Sequence, residues 1–255
     1  MAKKKERTPE EFSRDAAVVA LLERALQLEI ETCFTRAEEL APCPIGAEGV
    51  CCRHCAMGPC RLVGKAERGV CGATVDTVVA RNFARAVAAG AAAHSDHGRD
   101  LAYTLLEAAE GQASDYQIRD PFKLKEVARY LGVPVDGRPT REIARDVALA
   151  ALGEFGRTQG ELLYLKRAPA KRQKIWRDLG IAPRAIDREV VELLHRTNIG
   201  NDQDAEHLLD QAMRCALADG WGGSMLATDL TDILFGTPAP VLSEANLGVL
   251  QEDMV

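Results

Sequence analysis

Apolar residues recur at three- and four-residue steps along most of the chain, the spacing that gathers them on one face of an α-helix. The first stripe is Phe12, Ala16, Val19, Leu22, Leu26, Ile30 and Cys33. It predicts a single helix entered at Thr8-Pro9-Glu10-Glu11, with Thr8 as N-cap, Pro9 at the first helical position and Glu11 placed for a capping box. That helix delivers the chain to a cysteine-rich loop at Pro42, and residues 1–7 read as a frayed basic tail. After the loop, an alanine-rich helix is predicted from about Val75 to Glu110; its Ala89-Gly90-Ala91-Ala92-Ala93 run leaves room for another backbone to come close. Shorter helices follow. Asp120-Pro121 opens one that closes at Gly132, Thr140 starts one running to Leu152, and others are predicted over residues 167–179, Ile186–Arg196 and residues 204–219. Ile175 and Trp176 face inward in the first of these three, and Leu208, Leu209, Met213 and Ala216 form the core stripe of the last. Gly220-Trp221-Gly222-Gly223 then predicts a tight corner that breaks the helix, with Trp221 in the core; it matches no phosphate-binding loop. From Gly236 onward Thr237-Pro238-Ala239-Pro240 stops helix, and Ala245 to Leu250 read as the approach to a new element.

Composition supports the pattern. Alanine is abundant, aromatics make up 5% of the 255 residues, and β-branched runs are few, so the expected fold class is mainly α. A net charge of -6 argues against a nucleic-acid surface, and no apolar run approaches the roughly 18 residues of a membrane span. Glu10, Glu11, Arg14 and Asp15 stand where a secretory leader would carry its apolar stretch, so the chain reads as cytoplasmic, in a reducing compartment.

Candidate chemistry lies in residues 43–71. Cys52, Cys55, Cys60 and Cys71 form a C-x2-C-x4-C-x10-C run, the form expected when one iron–sulfur cluster collects thiolates from a folded-back loop. Cys51 stands beside it. Adjacent residues point different ways, so the Cys51-Cys52 doublet suggests two clusters back to back, with Cys43 as the nearest partner for Cys51. Two thiolates are half of a usual ligand set; a second copy of the chain, related by a two-fold axis, would complete it.

Disulfides are disfavoured by the absent leader, and a zinc site would explain four cysteines while leaving the doublet unexplained. Iron–sulfur is therefore the preferred reading. Cys33 and Cys215 lie in helical patterns and read as buried thiols. Arg53, Arg61, Lys65 and Arg68 lie within the motif, where cations favour an anionic cluster, although any one of them alone reads first as an ordinary solvated surface residue. Gly58, Pro59, Gly69 and Gly72 let the loop turn sharply. On the long helix, His94 and His97 are three residues apart and share a face; they read either as a proton relay or as ordinary solvated histidines.

The segments CPIGAEGVCCRHCAMGPCRL, AAGAAAHSDHGRD, DPFKLKEVARYLG and ADGWGGSMLATDLTDILFGTPAPVLSEANLGVL resemble, in order, the N-terminal part of the anaerobic nickel–iron carbon monoxide dehydrogenase catalytic subunit. The resemblance runs from about Ala41 to the end. After the N-terminal helix that the apolar stripe predicts over 1–40, it implies an iron–sulfur cluster-binding loop over 41–73, a helical domain over 74–236, and the start of the first of two Rossmann-like α/β domains at 237–255. It further implies a homodimer, with one [4Fe-4S] cluster per subunit on Cys52, Cys55, Cys60 and Cys71, and one cluster shared across the axis on Cys43 and Cys51. His94 and His97 would begin a proton-conducting ladder whose next two positions here are Asp100 and Tyr103, a departure from the family pattern. The family's reaction is CO + H2O to CO2, two protons and two electrons, at a nickel–iron–sulfur cluster. Once the six loop cysteines are assigned, only Cys33 and Cys215 remain, so the nickel ligands are expected beyond Val255 and this segment alone is expected to be inactive. A ferredoxin-like acceptor is the implied electron partner, and pairing with acetyl-CoA synthase stays open. The alternatives are a hybrid-cluster-type redox protein, against which the doublet speaks, and a stand-alone iron–sulfur electron-transfer module.

Overall fold

The computed structural model describes residues 7–40 and 43–238, and among them helix dominates, as composition predicts. The chain forms two compact units, Met1–Val50 and Cys51–Val255. The expected new element around residues 245–250 and the approach through Pro42 lie outside the described residues.

In the first unit the predicted entry is present, with the Thr8 backbone N–H donating to Glu11 Oε2 at 2.8 Å. The single long helix is not. Helix α1 (Pro9–Phe12) ends at once, because Asp15 turns its carboxylate onto the N–H groups of Ala17 and Val18, at 2.8 and 3.3 Å, and caps a second helix, α2 (Ala16–Gln27). Side chains of this type offer the backbone a local partner that competes with helix continuation. Glu29 adopts the left-handed conformation at φ 53°, and Thr32 caps a third helix, α3 (Cys33–Glu39). With the stripe interrupted twice, its residues do not make a buried face: Ala16, Leu26 and Ile30 are exposed, and Phe12, Val19 and Leu22 are only half-buried. Cys33, expected inside, is exposed at the first turn of α3. Helix α4 (Pro44–Ala47) follows, with Cys43 at its N-cap position.

The second unit is built around one helix. After a two-stranded hairpin, β1 (Cys51–Cys52) and β2 (Cys60–Arg61), Thr74 caps helix α5 (Val75–Glu110), which Gly111 closes in the left-handed conformation. At 36 residues it is about 54 Å long. Its packed face is mostly small: Ala84, Ala88, Ala91, Ser95, Gly98 and Ala102 are all buried. Small side chains let neighbouring helices come close, so α5 can be surrounded. Packed against it are α7 (Thr140–Gly156), α9 (Ile186–Arg196), α10 (Ala205–Leu217) and α11 (Leu226–Phe235), while α6 (Pro121–Leu131) lies against α7 and α11. A short 3-10 turn, Leu163–Arg167, and α8 (Ala170–Asp178) complete the unit.

Three expectations in this unit are corrected. The glycine run does not break α10; the chain continues through a widened π segment, Ala218–Met225, directly into α11. The glycines serve approach instead. A Cβ on Gly222 would lie 2.6 Å from Ile186 Cγ1, and one on Gly98 would lie 3.1 Å from the Gly223 carbonyl. The core stripe of α10 is also rotated from the one expected: Leu208, Gln211, Ala212 and Cys215 are buried, whereas Leu209, Ala216 and Met213, at 51%, are exposed. Gln211 takes an inside place because its amide donates to Glu189 Oε2 at 2.9 Å, and Glu189 is itself held by Arg184 at 2.8 Å. A count of apolar residues misses a buried polar pair of this kind. Ile175, expected inward, is exposed, while Trp176 packs on Trp221 with ring centroids 5.9 Å apart. Cys215 is a buried thiol, as expected, and burial pushes it up to about 12.

Candidate metal centre

The hairpin fixes which way the cysteines face. In the antiparallel register Cys52 pairs with Cys60 and Cys51 with Arg61. Side chains alternate along a strand and directly opposed residues share a face, so Cys52 and Cys60 project together and Cys51 projects to the other side with Arg61. Cys52 is 8% exposed and packs with Leu62, Ala73 and Val78, with Cys60 and Cys71 against the same small cluster. Between the strands the chain must fold tightly. A Cβ on Gly58 would sit 3.1 Å from the Cys52 carbonyl and 3.3 Å from the Cys60 nitrogen, so that position is closed to other residues. Beyond β2 the chain turns again, with the Gly69 N–H donating to the Ala73 carbonyl at 2.8 Å and Gly72 at φ 91°. These two turns return Cys71 to the hairpin.

The result is one cavity lined by Cys52, Cys55, Cys60 and Cys71, with His54, Val78 and Arg81 among the residues around it. Donors face the sulfurs: the Val70 N–H lies 3.5 Å from Cys60 Sγ and Arg81 Nη1 lies 3.4 Å from Cys71 Sγ. Burial raises the Cys71 thiol, but the Arg81 contact, with hydrogen bonds from the Ala73 and Gly200 backbone and the Gln203 side chain, outweighs it and brings the thiol down to about 7. A thiol so placed is readily a thiolate, the form that binds metal. Among the described residues no three His, Cys, Asp or Glu side chains converge to hold a single ion. A cubane cluster asks for a different arrangement, each of four thiolates binding its own iron around a shared core. Four sulfurs around one cavity, N–H donors toward them, and a buried Arg81 Nε with no partner fit such a group.

The cavity is braced by residues far off in sequence. Thr77 Oγ1 donates to the Gln203 carbonyl at 2.7 Å, Gln203 Nε2 to the Cys71 carbonyl at 2.9 Å, Arg81 Nη2 to the Asp202 carbonyl, and Arg85 Nε to Thr197 Oγ1 at 3.0 Å. Asn82 reaches back, donating to the Cys51 carbonyl at 3.3 Å and accepting from His54 Nε2 at 2.9 Å. Burial, joined by the charge of Arg85, lowers the His54 pKa. Arg53, Arg61, Lys65 and Arg68 are exposed. Cys43 belongs to the first unit, exposed at the head of α4.

His94 and His97 lie halfway along α5 and border one cleft with Leu101, Gly223, Ser224 and Thr228. His94 Nδ1 is 2.8 Å from Asp219 Oδ1 and 3.2 Å from Ser224 Oγ. Asp100 and Tyr103 are exposed and do not border that cleft. Sequence reasoning missed Asp219 and Ser224, which the π segment brings to His94 from a distant stretch. It also missed Arg81, for which a signal existed: a charged residue in register with Thr77, Ala84 and Ala88 on the small-residue face of α5.

The fold and cavity define a helical protein in which four cysteines line one small cavity. The chain belongs to the Prismane/CO dehydrogenase family, whose model matches residues 50–255. Carbon monoxide dehydrogenase 1 of Methanosarcina acetivorans is 49% identical across the whole chain, which spans 41% of that protein's length. A nickel-free, as-isolated crystal structure of carbon monoxide dehydrogenase from Thermococcus sp. AM4 superposes on 93% of the chain with a TM-score of 0.85 and 48% identity, over 38% of its own chain. A structure of acetyl-CoA synthase/carbon monoxide dehydrogenase, described for the NiZn[Fe4S4] and NiNi[Fe4S4] clusters of its alpha subunits, has a TM-score of 0.83 and 39% identity, covering 94% of this chain and 37% of that one. No helix among the described residues is long and apolar enough to cross a membrane.

Proposed function

We propose that this chain is the electron-relay and dimer-forming part of an anaerobic carbon monoxide dehydrogenase. The observation that carries the reading is the single cavity on which Cys52, Cys55, Cys60 and Cys71 open, in a chain 49% identical to a protein of that name. These four residues would hold a [4Fe-4S] cluster within the subunit. When bound, such a cluster supplies one-electron transfer with little ligand movement. Cys51, turned to the other side of the hairpin, and Cys43 would hold half of a cluster whose other half comes from the same two residues of a second subunit. Exposed Met57, Val63, Val79 and Phe83 near the hairpin and at the start of α5 offer apolar surface for that homodimer. The exposed Arg53, Arg61, Lys65 and Arg68 give an acidic, ferredoxin-like acceptor a place to dock, and the acetyl-CoA synthase assembly is a second partner to test.

His94 and His97 would conduct protons. His94 Nδ1 shares a proton with Asp219 Oδ1, leaving Nε2 to exchange with the cleft that His97 borders. The nickel–iron–sulfur site is assigned no residue here: beyond the six cysteines used, only exposed Cys33 and buried Cys215 remain, too few for it. This segment by itself is therefore expected not to oxidise CO. The hybrid-cluster alternative leaves the Cys51-Cys52 doublet without a role.

Anaerobically purified protein should hold about eight iron atoms and as much labile sulfide per dimer in the subunit clusters, plus about two or four in the shared one. The full-length enzyme should reduce a dye with CO and the 255-residue segment should not. Zinc without labile sulfide in the purified chain would sink the reading.

A further inference from the structure

Arg81 is among the largest fully buried side chains of the chain, 1% exposed, on the packed face of α5. A guanidinium keeps its charge at any ordinary pH, and burying a charge without a partner is expensive. Among the described residues no carboxylate lies within ion-pair distance of it. Its Nη2 donates to the Asp202 carbonyl, its Nη1 approaches Cys71 Sγ at 3.4 Å, and its Nε is buried with no acceptor. A permanent cation has thus been placed at the wall of the cysteine cavity with one donor unspent, where an ordinary core helix would carry alanine or leucine.

We infer that Arg81 is the built-in counter-charge of the cluster cavity, a positioning residue that raises the reduction potential of the cluster held by Cys52, Cys55, Cys60 and Cys71. The inference rests on the cluster reading above. One-electron reduction makes the cluster more negative while its thiolate bonds stay in place, so a fixed buried cation stabilises the reduced state more than the oxidised one. The exposed basic residues of the loop are weak competitors. The same charge acts about four times more strongly at the effective dielectric of a protein than in bulk water, and salt screens the exposed ones further. Arginine suits the position because its planar fork reaches the Asp202 carbonyl and the Cys71 sulfur together, which also ties the turn before α10 to the cavity.

The test is a reduction titration of anaerobic holoenzyme followed by electron paramagnetic resonance. The signal that disappears in Cys52→Ala belongs to this cluster. Arg81→Gln, which keeps donors but loses the charge, should lower the reduced-to-oxidised ratio of that signal at least tenfold at a fixed potential, a shift of about 59 mV for one electron. Arg81→Lys, which keeps the charge, should shift it much less. A Gln variant with full iron and an unchanged potential would overturn the inference, as would a Lys variant that shifts as far as Gln. Should Gln lose its iron, Lys decides: iron and potential retained supports the charge, and iron lost places the role in shape alone and overturns it. Wild-type enzyme without labile sulfide would sink the cluster reading and this inference with it, whereas an intact cluster indifferent to the charge at residue 81 would sink the inference alone.

Discussion

Cys52 and Cys60 face one another across a two-residue antiparallel ladder, and the peptide bond that joins Cys52 to Cys51 turns the neighbouring thiol to the opposite side. Loss of either member of the doublet should therefore separate two properties. Cys52→Ala should remove about four iron atoms per chain and leave the dimer mass unchanged in anaerobic light scattering. Cys51→Ala should leave the subunit cluster, remove the shared iron and shift the dimer toward monomer at low protein concentration. Equal iron loss in both variants would mean that the two thiols serve one centre.

The close approach at Gly222 predicts an asymmetric pair of glycine substitutions. Gly222→Ala drives a methyl into Ile186 and Leu162 and should destabilise by about 1–3 kcal/mol, the usual cost of overpacking. Gly153→Ala, in the exposed face of α7 with open space at its Cβ, should stabilise by about 0.5–1 kcal/mol through helix propensity. Urea unfolding of the two variants beside wild type measures both.

Asp229, on α11 and 2% exposed, gathers Tyr164, Arg167 at 2.7 Å and Lys123 at 3.4 Å. Removing it takes the carboxylate from Arg167 and the acceptor from the buried Tyr164 hydroxyl, while Lys123 keeps Glu126 at 3.1 Å. Asp229→Ala should cost roughly 3–5 kcal/mol, read as a large fall in thermal midpoint, while a change at exposed Asp178 should move it little.

Glu192 carries a pH dependence. Burial raises its carboxyl, but Arg184 at 2.6 Å and Arg196 at 2.7 Å outweigh it and hold it down at about 2, below the ordinary 4.5. A carboxyl depressed on folding contributes stability above its unfolded pKa and loses it as pH falls toward its folded one. The stability difference between wild type and Glu192→Gln should therefore shrink between about pH 4.5 and pH 2 and be flat above pH 5.

The fold was legible where one residue type decides a boundary. Asp120-Pro121 and Gly132 marked α6, and the alanine-rich run marked the full extent of α5, because caps and helix formers act through their own backbone. What failed depended on partners far away. The stripe of α10 was misplaced because Gln211 is buried against Glu189 of α9, which Arg184 holds from outside that helix, and the break after Phe12 was missed because Asp15 caps a new helix within an apolar period that itself continues. At the candidate site the cysteine spacing pointed to one cavity, but its brace did not show. Asp202 and Gln203 reach it through a turn more than 120 residues away, and only the fold of α9 onto α5 brings them there.

Helix α5 also acts as a ruler. Arg81 at the cysteine cavity and His94 at the cleft it shares with His97 are 13 positions apart on one unbroken rod, about 20 Å at 1.5 Å per residue. The span between the cysteine cavity and the histidine cleft is set by residue count rather than by loop geometry. One residue inserted between them would swing one site by about 100° relative to the other, so that stretch tolerates changes of side chain far more readily than changes of length.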